Sequence, residues 1–157
     1  MDANQTDKSL VLSLVPQQHP FRFLDDILSL DDMQIEGVCR FGEDSFFYKG
    51  HFPGHPVTPG VILIEAMAQT GAVAHAIYLM LKKGAPPETI RRSMFVFTRV
   101  EEAEFTKLVP PGARAIITGE KIYFRARTIK TRVRVTLENG EPACSGILTG
   151  MGVDLAR

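Results

Sequence analysis

The stretch TPGVILIEAMAQTGAVAHAIYLMLKKG, residues 58–84, decides the architecture. Thr58 reads as an N-cap and Pro59 as the first helical residue, where a missing N–H removes no bond. The helix should run to Lys82 or Lys83, where Gly84 and the Pro86-Pro87 pair stop it. From Val61 to Leu81 the only formal charge is Glu65. A helix apolar on every side either spans a membrane or lies in a core. Gln69, Thr70, Gly71 and His75 interrupt this one, no basic flank precedes it, and patterned strands follow. It therefore reads as a core helix with no membrane insertion.

Outward from the helix the chain reads as strands. Phe21–Leu30 and Met33–Phe41 form a pair about the Asp31-Asp32 turn. Met94–Thr98 is β-rich, and Ala113–Arg127 is a long strand after the Pro110-Pro111-Gly112 turn. In Lys130–Leu137, Thr131, Val133, Val135 and Leu137 alternate with Lys130, Arg132, Arg134 and Thr136, so one face is buried and one wet. Asn139-Gly140 is a hairpin turn, and Pro142–Val153 returns. Ser9–Val15 is a short helical stretch ended by Pro16, and residues 1–8 read as a flexible tail. The 157 residues make one domain. The fold class is α+β: five or six antiparallel strands wrap the long central helix, with a second copy covering another of its sides.

Composition narrows the function. Lys+Arg and Asp+Glu each number 18, so the net charge is zero, without the basic excess of a nucleic-acid binder. Cys39 and Cys144 lie far apart and form no metal or disulfide pattern, which fits a reducing, cytoplasmic setting. The first ten residues lack the basic and apolar regions of a signal peptide. No cofactor or metal ligand set is read. Lys121, Arg125, Arg127, Lys130, Arg132 and Arg134 form a basic run, which is either a solvated strand face or a rim that steers an acidic partner.

Three elements carry chemistry. His51 stands in GHFPGHPVTPG, residues 50–60, a loop stiffened by three prolines, and imidazole is the natural base near neutral pH. The helix start at Pro59-Gly60-Val61 offers unpaired N–H groups, and Gly60 lets a ligand oxygen approach closely. Glu65 is a lone carboxyl whose burial raises its pKa, as a general acid requires. Base, oxyanion donor and acid suit removal of a proton α to a carbonyl with departure of a β-hydroxyl. The same residues admit a structural reading: a packed loop histidine and a carboxyl tied to Gln69 or an arginine. His55 reads as a packing residue of the loop, and His75 as a core or interface histidine.

The segments Gly50-His51-Phe52-Pro53-Gly54-His55-Pro56, Pro59-Gly60-Val61 and Glu65-Ala66-Met67-Ala68-Gln69 resemble the 3-hydroxyacyl-[acyl-carrier-protein] dehydratases of the hot-dog fold, the FabA/FabZ family. Val61 and Glu65, where isomerising members carry Cys and Asp, place the likeness nearer the Z type. The resemblance implies His51 as catalytic histidine and Glu65 as catalytic acid. It makes the Gly60 N–H, beside Val61, the donor to the thioester carbonyl. It implies a substrate on an acyl carrier protein, and a homodimer or trimer of dimers in which His51 and Glu65 come from different protomers. An apolar tunnel for the acyl chain should begin at the His51 loop and follow the helix.

Pro16-Gln17-Gln18-His19-Pro20-Phe21 departs from the family's usual Pro-His-Arg-Tyr-Pro-Phe. Thr58 replaces a usual methionine, and Val100–Phe105 is unusually acidic. These changes leave open whether the pathway is fatty acid synthesis or a specialised polyketide, polyene or lipid route. The alternatives are a hot-dog acyl thioesterase and a non-catalytic dehydratase-like subunit of a heterodimer.

Overall fold

The computed structural model describes residues 1–155. Six strands pair antiparallel: β1 (Asp26–Leu30), β2 (Gln34–Arg40), β3 (Ser93–Phe105), β4 (Arg114–Arg125), β5 (Thr128–Leu137) and β6 (Pro142–Asp154). Their order across the sheet is β1-β2-β4-β5-β6-β3. The helices are α1 (Gln5–Leu14), α2 (Gly60–Lys82) and α3 (Pro87–Arg91). The expected alternation in β5 is present, with Thr131, Val133 and Val135 buried and Arg132 and Arg134 exposed.

The sheet curves around α2, whose residues 66–80 are all buried. Small residues permit this approach. A Cβ added at Gly119 of β4 would stand 2.9 Å from the Gly71 Cα, and one added at Gly71 would stand 2.6 Å from a Val133 methyl. Backbone therefore lies almost on backbone where helix and sheet cross. Over Ala68–Ala74 the helix widens into a π-helical stretch, a form found mostly where function or packing selects it. The first half of α2 packs with Phe41, Tyr48, Ile117 and Val133, and the second half with Val11, Leu14 and Ile90.

Several expectations need correction. Residues 66–80 of α2 are covered within one chain, where α1 and the segment before β1 pack on the helix, while Val61 at its start stays exposed. Residues 1–8, expected as a tail, are partly helical and tied down. Asn4 caps α1 in a capping box with Asp7, and Asp2 Oδ1 accepts the Leu30 N–H at 2.6 Å. The strand expected over Phe21–Leu30 begins only at Asp26, since the N–H groups of Phe23 and Leu24 go to the Gln69 side chain. Thr58 does not cap α2. Pro59 is the N-cap, and the Thr58 hydroxyl is taken by Tyr48 Oη at 2.7 Å. Pro86-Pro87 ends one helix and also starts another, α3.

His75 is a core histidine, fully buried on α2. Its Nε2–H donates to the Asp31 carbonyl at 2.9 Å, and burial lowers its pKa to about 4. The depressed pKa means that the unfolded chain binds a proton below about 6.5 while the folded one does not. His75 therefore contributes stability above that pH, which is lost as the pH falls toward 4. Thermal unfolding of His75→Gln should show a shallower loss of Tm between pH 7 and pH 4 than the parent; parallel profiles would contradict this.

Candidate active site

The loop before α2 is closed by its own hydrogen bonds. The Val57 N–H donates to the His51 carbonyl, and His51 Nδ1 meets the Val57 carbonyl, both at 2.9 Å. A carbonyl only accepts, so Nδ1 carries the proton and Nε2 presents its lone pair. The Phe52 ring stacks on the imidazole with centroids 4.1 Å apart and further fixes its plane. His55 is exposed, and its backbone closes the Phe52–His55 turn. The Thr58 N–H donates to Val109 at 2.9 Å, fastening the loop to the body of the protein.

Pro59 brings no capping side chain, so the helix start stays open. The Ile62 and Leu63 N–H groups bond back to the Pro59 carbonyl. Those of Gly60 and Val61 meet no acceptor among the described residues. The Phe105 ring lies over Gly60, where an added Cβ would come within 2.9 Å of it. The missing side chain at Gly60 thus admits the Phe105 ring, and the two free donors at the helix N-terminus suit a partly negative oxygen.

Glu65 is half-buried, one turn into α2. Its carboxyl accepts from Gln69 Nε2 at 2.9 Å. The Gln69 amide is fully used: Nε2 also donates to the Phe21 carbonyl at 2.8 Å, and Oε1 accepts from Phe23 and Leu24 at 2.8 and 3.3 Å. Burial pushes the Glu65 carboxyl above the ordinary carboxylate range, partly opposed by the amides of Gln69 and Gln17. Glu65 faces a cavity of about 280 Å³, otherwise lined mainly by apolar groups such as Ala72, Val73, Phe95 and Phe97.

An apolar cavity along the helix lies beside Glu65, but the tunnel expected to begin at the His51 loop is not seen in one chain. His51 and Gly60 are not among the residues that line the cavity in one chain. The sequence reading missed Gln17, which lines the cavity with Glu65. Its only signal was the departure from the family pattern at that position. Within the basic run, Arg134 on β5 pairs with Glu120 at 3.0 Å, and Arg127 in the turn before β5 pairs with Asp154 at 2.8 Å.

The FabA-like domain family matches residues 15–142. The chain belongs to that family. It is 34% identical over 139 residues to the 3-hydroxyacyl-[acyl-carrier-protein] dehydratase FabZ of Thermus thermophilus, covering 88% of this chain and 92% of that one. It is 37% identical over 107 residues to the like-named protein of Desulfotalea psychrophila, covering 68% and 67%. The fold is the hot-dog fold. The dehydratase heterocomplex ApeI:P of Xenorhabdus doucetiae shares it with a TM-score of 0.76 at 12% identity, over 92% of this chain and 91% of that one. A mutant thioesterase of Pseudomonas aeruginosa does so with a TM-score of 0.57 at 16% identity, over 83% and 81%.

Replacing Gln69 by leucine would leave the Phe23 and Leu24 N–H groups unpaired in the interior. Each such group costs about 1–3 kcal/mol, so Gln69→Leu should lose on the order of 3 kcal/mol in urea unfolding. A loss below about 1 kcal/mol would mean that these bonds do not hold the segment before β1.

Proposed function

We propose that the protein dehydrates a 3-hydroxyacyl thioester carried on an acyl carrier protein to the trans-2-enoyl thioester and water. The observation that carries this reading is Glu65, a carboxyl kept by burial above its ordinary range in a mainly apolar cavity. An acid of this kind holds its proton until a leaving hydroxyl takes it. The thioester oxygen accepts from the Gly60 N–H, beside Val61. His51 Nε2 removes the C2 proton, the C2=C3 bond forms as the C3–O bond breaks, and the hydroxyl leaves as water with the proton from Glu65. The proton on His51 then returns to the Glu65 carboxylate, and the site is reset.

The working unit is a homodimer, with His51 and Gly60 of one protomer facing Glu65 of the other. Supporting this, β3 lies at the sheet edge with its backbone donors and acceptors open on one side. Val96, Phe97 and Phe105 on β3, and Val61 at the helix start, are large apolar residues left exposed. Both cysteines are free and buried, which suits a cytoplasmic enzyme.

Incubation with a 3-hydroxyacyl carrier protein should yield the enoyl thioester; free carrier thiol, or no product, would refute the assignment. His51→Ala and Glu65→Gln should each lower turnover by about 10²–10⁴-fold while the fold persists. Mixing the two inactive variants under subunit exchange should restore roughly a quarter of parental activity, because half the dimers then hold one intact site of two. No recovery after verified exchange would place both residues' action within one chain.

A further inference from the structure

The sheet ends in two edge strands, β1 and β3, and the N-terminal segment lies along one of them. The Ala3 N–H donates to the Leu30 carbonyl at 2.6 Å, and Asp2 Oδ1 accepts the Leu30 N–H at 2.6 Å. Lys8 Nζ donates to the Leu28 carbonyl at 2.9 Å and to Asp2 Oδ2 at 2.9 Å. Residues two apart on a strand turn their backbone groups to the same side, so these bonds all close the side of β1 that faces away from β2. The Lys8 side chain is only 11% exposed, an unusual position for an ammonium, and the Leu28 and Asp2 oxygens are what hold it there. Helix capping does not account for this arrangement. The capping box of α1 uses Asn4 and Asp7, and the side chains of Asp2 and Lys8 take no part in it.

The physics of sheet edges supplies a purpose. An edge strand offers its free N–H and C=O groups to any extended chain, and a lysine laid on the edge is one way to prevent that pairing. The β1 sequence, Asp26-Ile27-Leu28-Ser29-Leu30, is largely apolar, and Leu28 remains exposed on it. The partner always at hand is a second copy, which carries the same strand. Pairing at β1 as well as at β3 would give each protein two sheet contacts and build a chain of copies without end, where pairing at β3 alone closes as a dimer. We infer that Asp2, Ala3 and Lys8 form a strap that denies the β1 edge to a second copy and so confines edge pairing to β3. The limit of two copies rests on the dimer proposed above, but the closure of β1 does not depend on it.

The test compares the parental protein with a variant that lacks Asp2 and Ala3 and carries Lys8→Ala, which leaves the Asn4–Asp7 capping box in place. Sedimentation velocity over a range of concentrations should give a constant mass for the parental protein. The mass of the variant should climb with concentration beyond the parental value, and Lys8→Ala alone should do the same at higher concentration. Adding Leu28→Lys, which sets a charge on the opened edge, should return the variant to the parental mass. Circular dichroism reports that the fold persists. Hydrogen exchange of the Leu30 amide reports the strap itself, and at dilution it should be about tenfold faster in the variant, the worth of one hydrogen bond. An unchanged Leu30 rate would overturn the inference. So would a freely exchanging Leu30 in a variant whose mass stays parental, or growth that Leu28→Lys does not reverse. A monomeric parental protein whose variant stops at a dimer would refute the β3 dimer and leave the strap standing.

Discussion

The structure turns on the four hydrogen bonds of the buried Gln69 amide. One end holds the carbonyl of Phe21 and the carboxyl of Glu65, and the other the N–H groups of Phe23 and Leu24. These bonds seat the segment before β1 against α2, next to β2, where the Asp25 N–H donates to the Val38 carbonyl at 2.9 Å. Residues 66–80 are buried within a single chain. The sealed helix gives Glu65 its burial, and the seated segment brings Gln17 to the same cavity. Core and candidate site thus share one polar residue, and its cost of burial is offset because every position on its amide is used.

The two ends of the site obey different physics. At the helix start the sequence leaves donors unpaired: Pro59 has no capping side chain and Thr58 is engaged with Tyr48. The stiff loop then fixes the histidine tautomer through one carbonyl, that of Val57. Within the helix it is the surroundings that act, raising a carboxyl by removing water from it. Open donors suit an oxygen that gains negative charge, and a dry carboxyl suits a group that leaves with a proton.

Much of this was legible in residue order. The period-2 pattern of Lys130–Leu137, the Asn139-Gly140 turn and the long apolar helix each act through near neighbours, and each is found as read. His51, Gly60 and Glu65 were legible as chemistry because a stiff loop, a helix start and a lone carboxyl are local features. What failed depended on distant partners. Phe21–Asp25 has strand-like composition, but Gln69, more than 40 residues away in sequence, takes its N–H groups. Thr58 looked like a cap until Tyr48 claimed its hydroxyl. The α1 start carried a local signal, Asn4 three residues before Asp7, within a segment whose polarity resembled a tail. Gln17 was marked only by its departure from the family pattern, because the cavity it lines is built from residues distant in sequence.

The central claim is that burial makes Glu65 a proton carrier despite the amide donors beside it. The direct measurement is a 13C NMR titration of glutamate δ-carbons, with the Glu65 resonance identified by its absence in Glu65→Gln. The account predicts a midpoint above the ordinary value of 4.5. A midpoint at or below that value would show that the Gln69 and Gln17 amides outweigh burial, leaving Glu65 a structural carboxylate and the acid role without a holder.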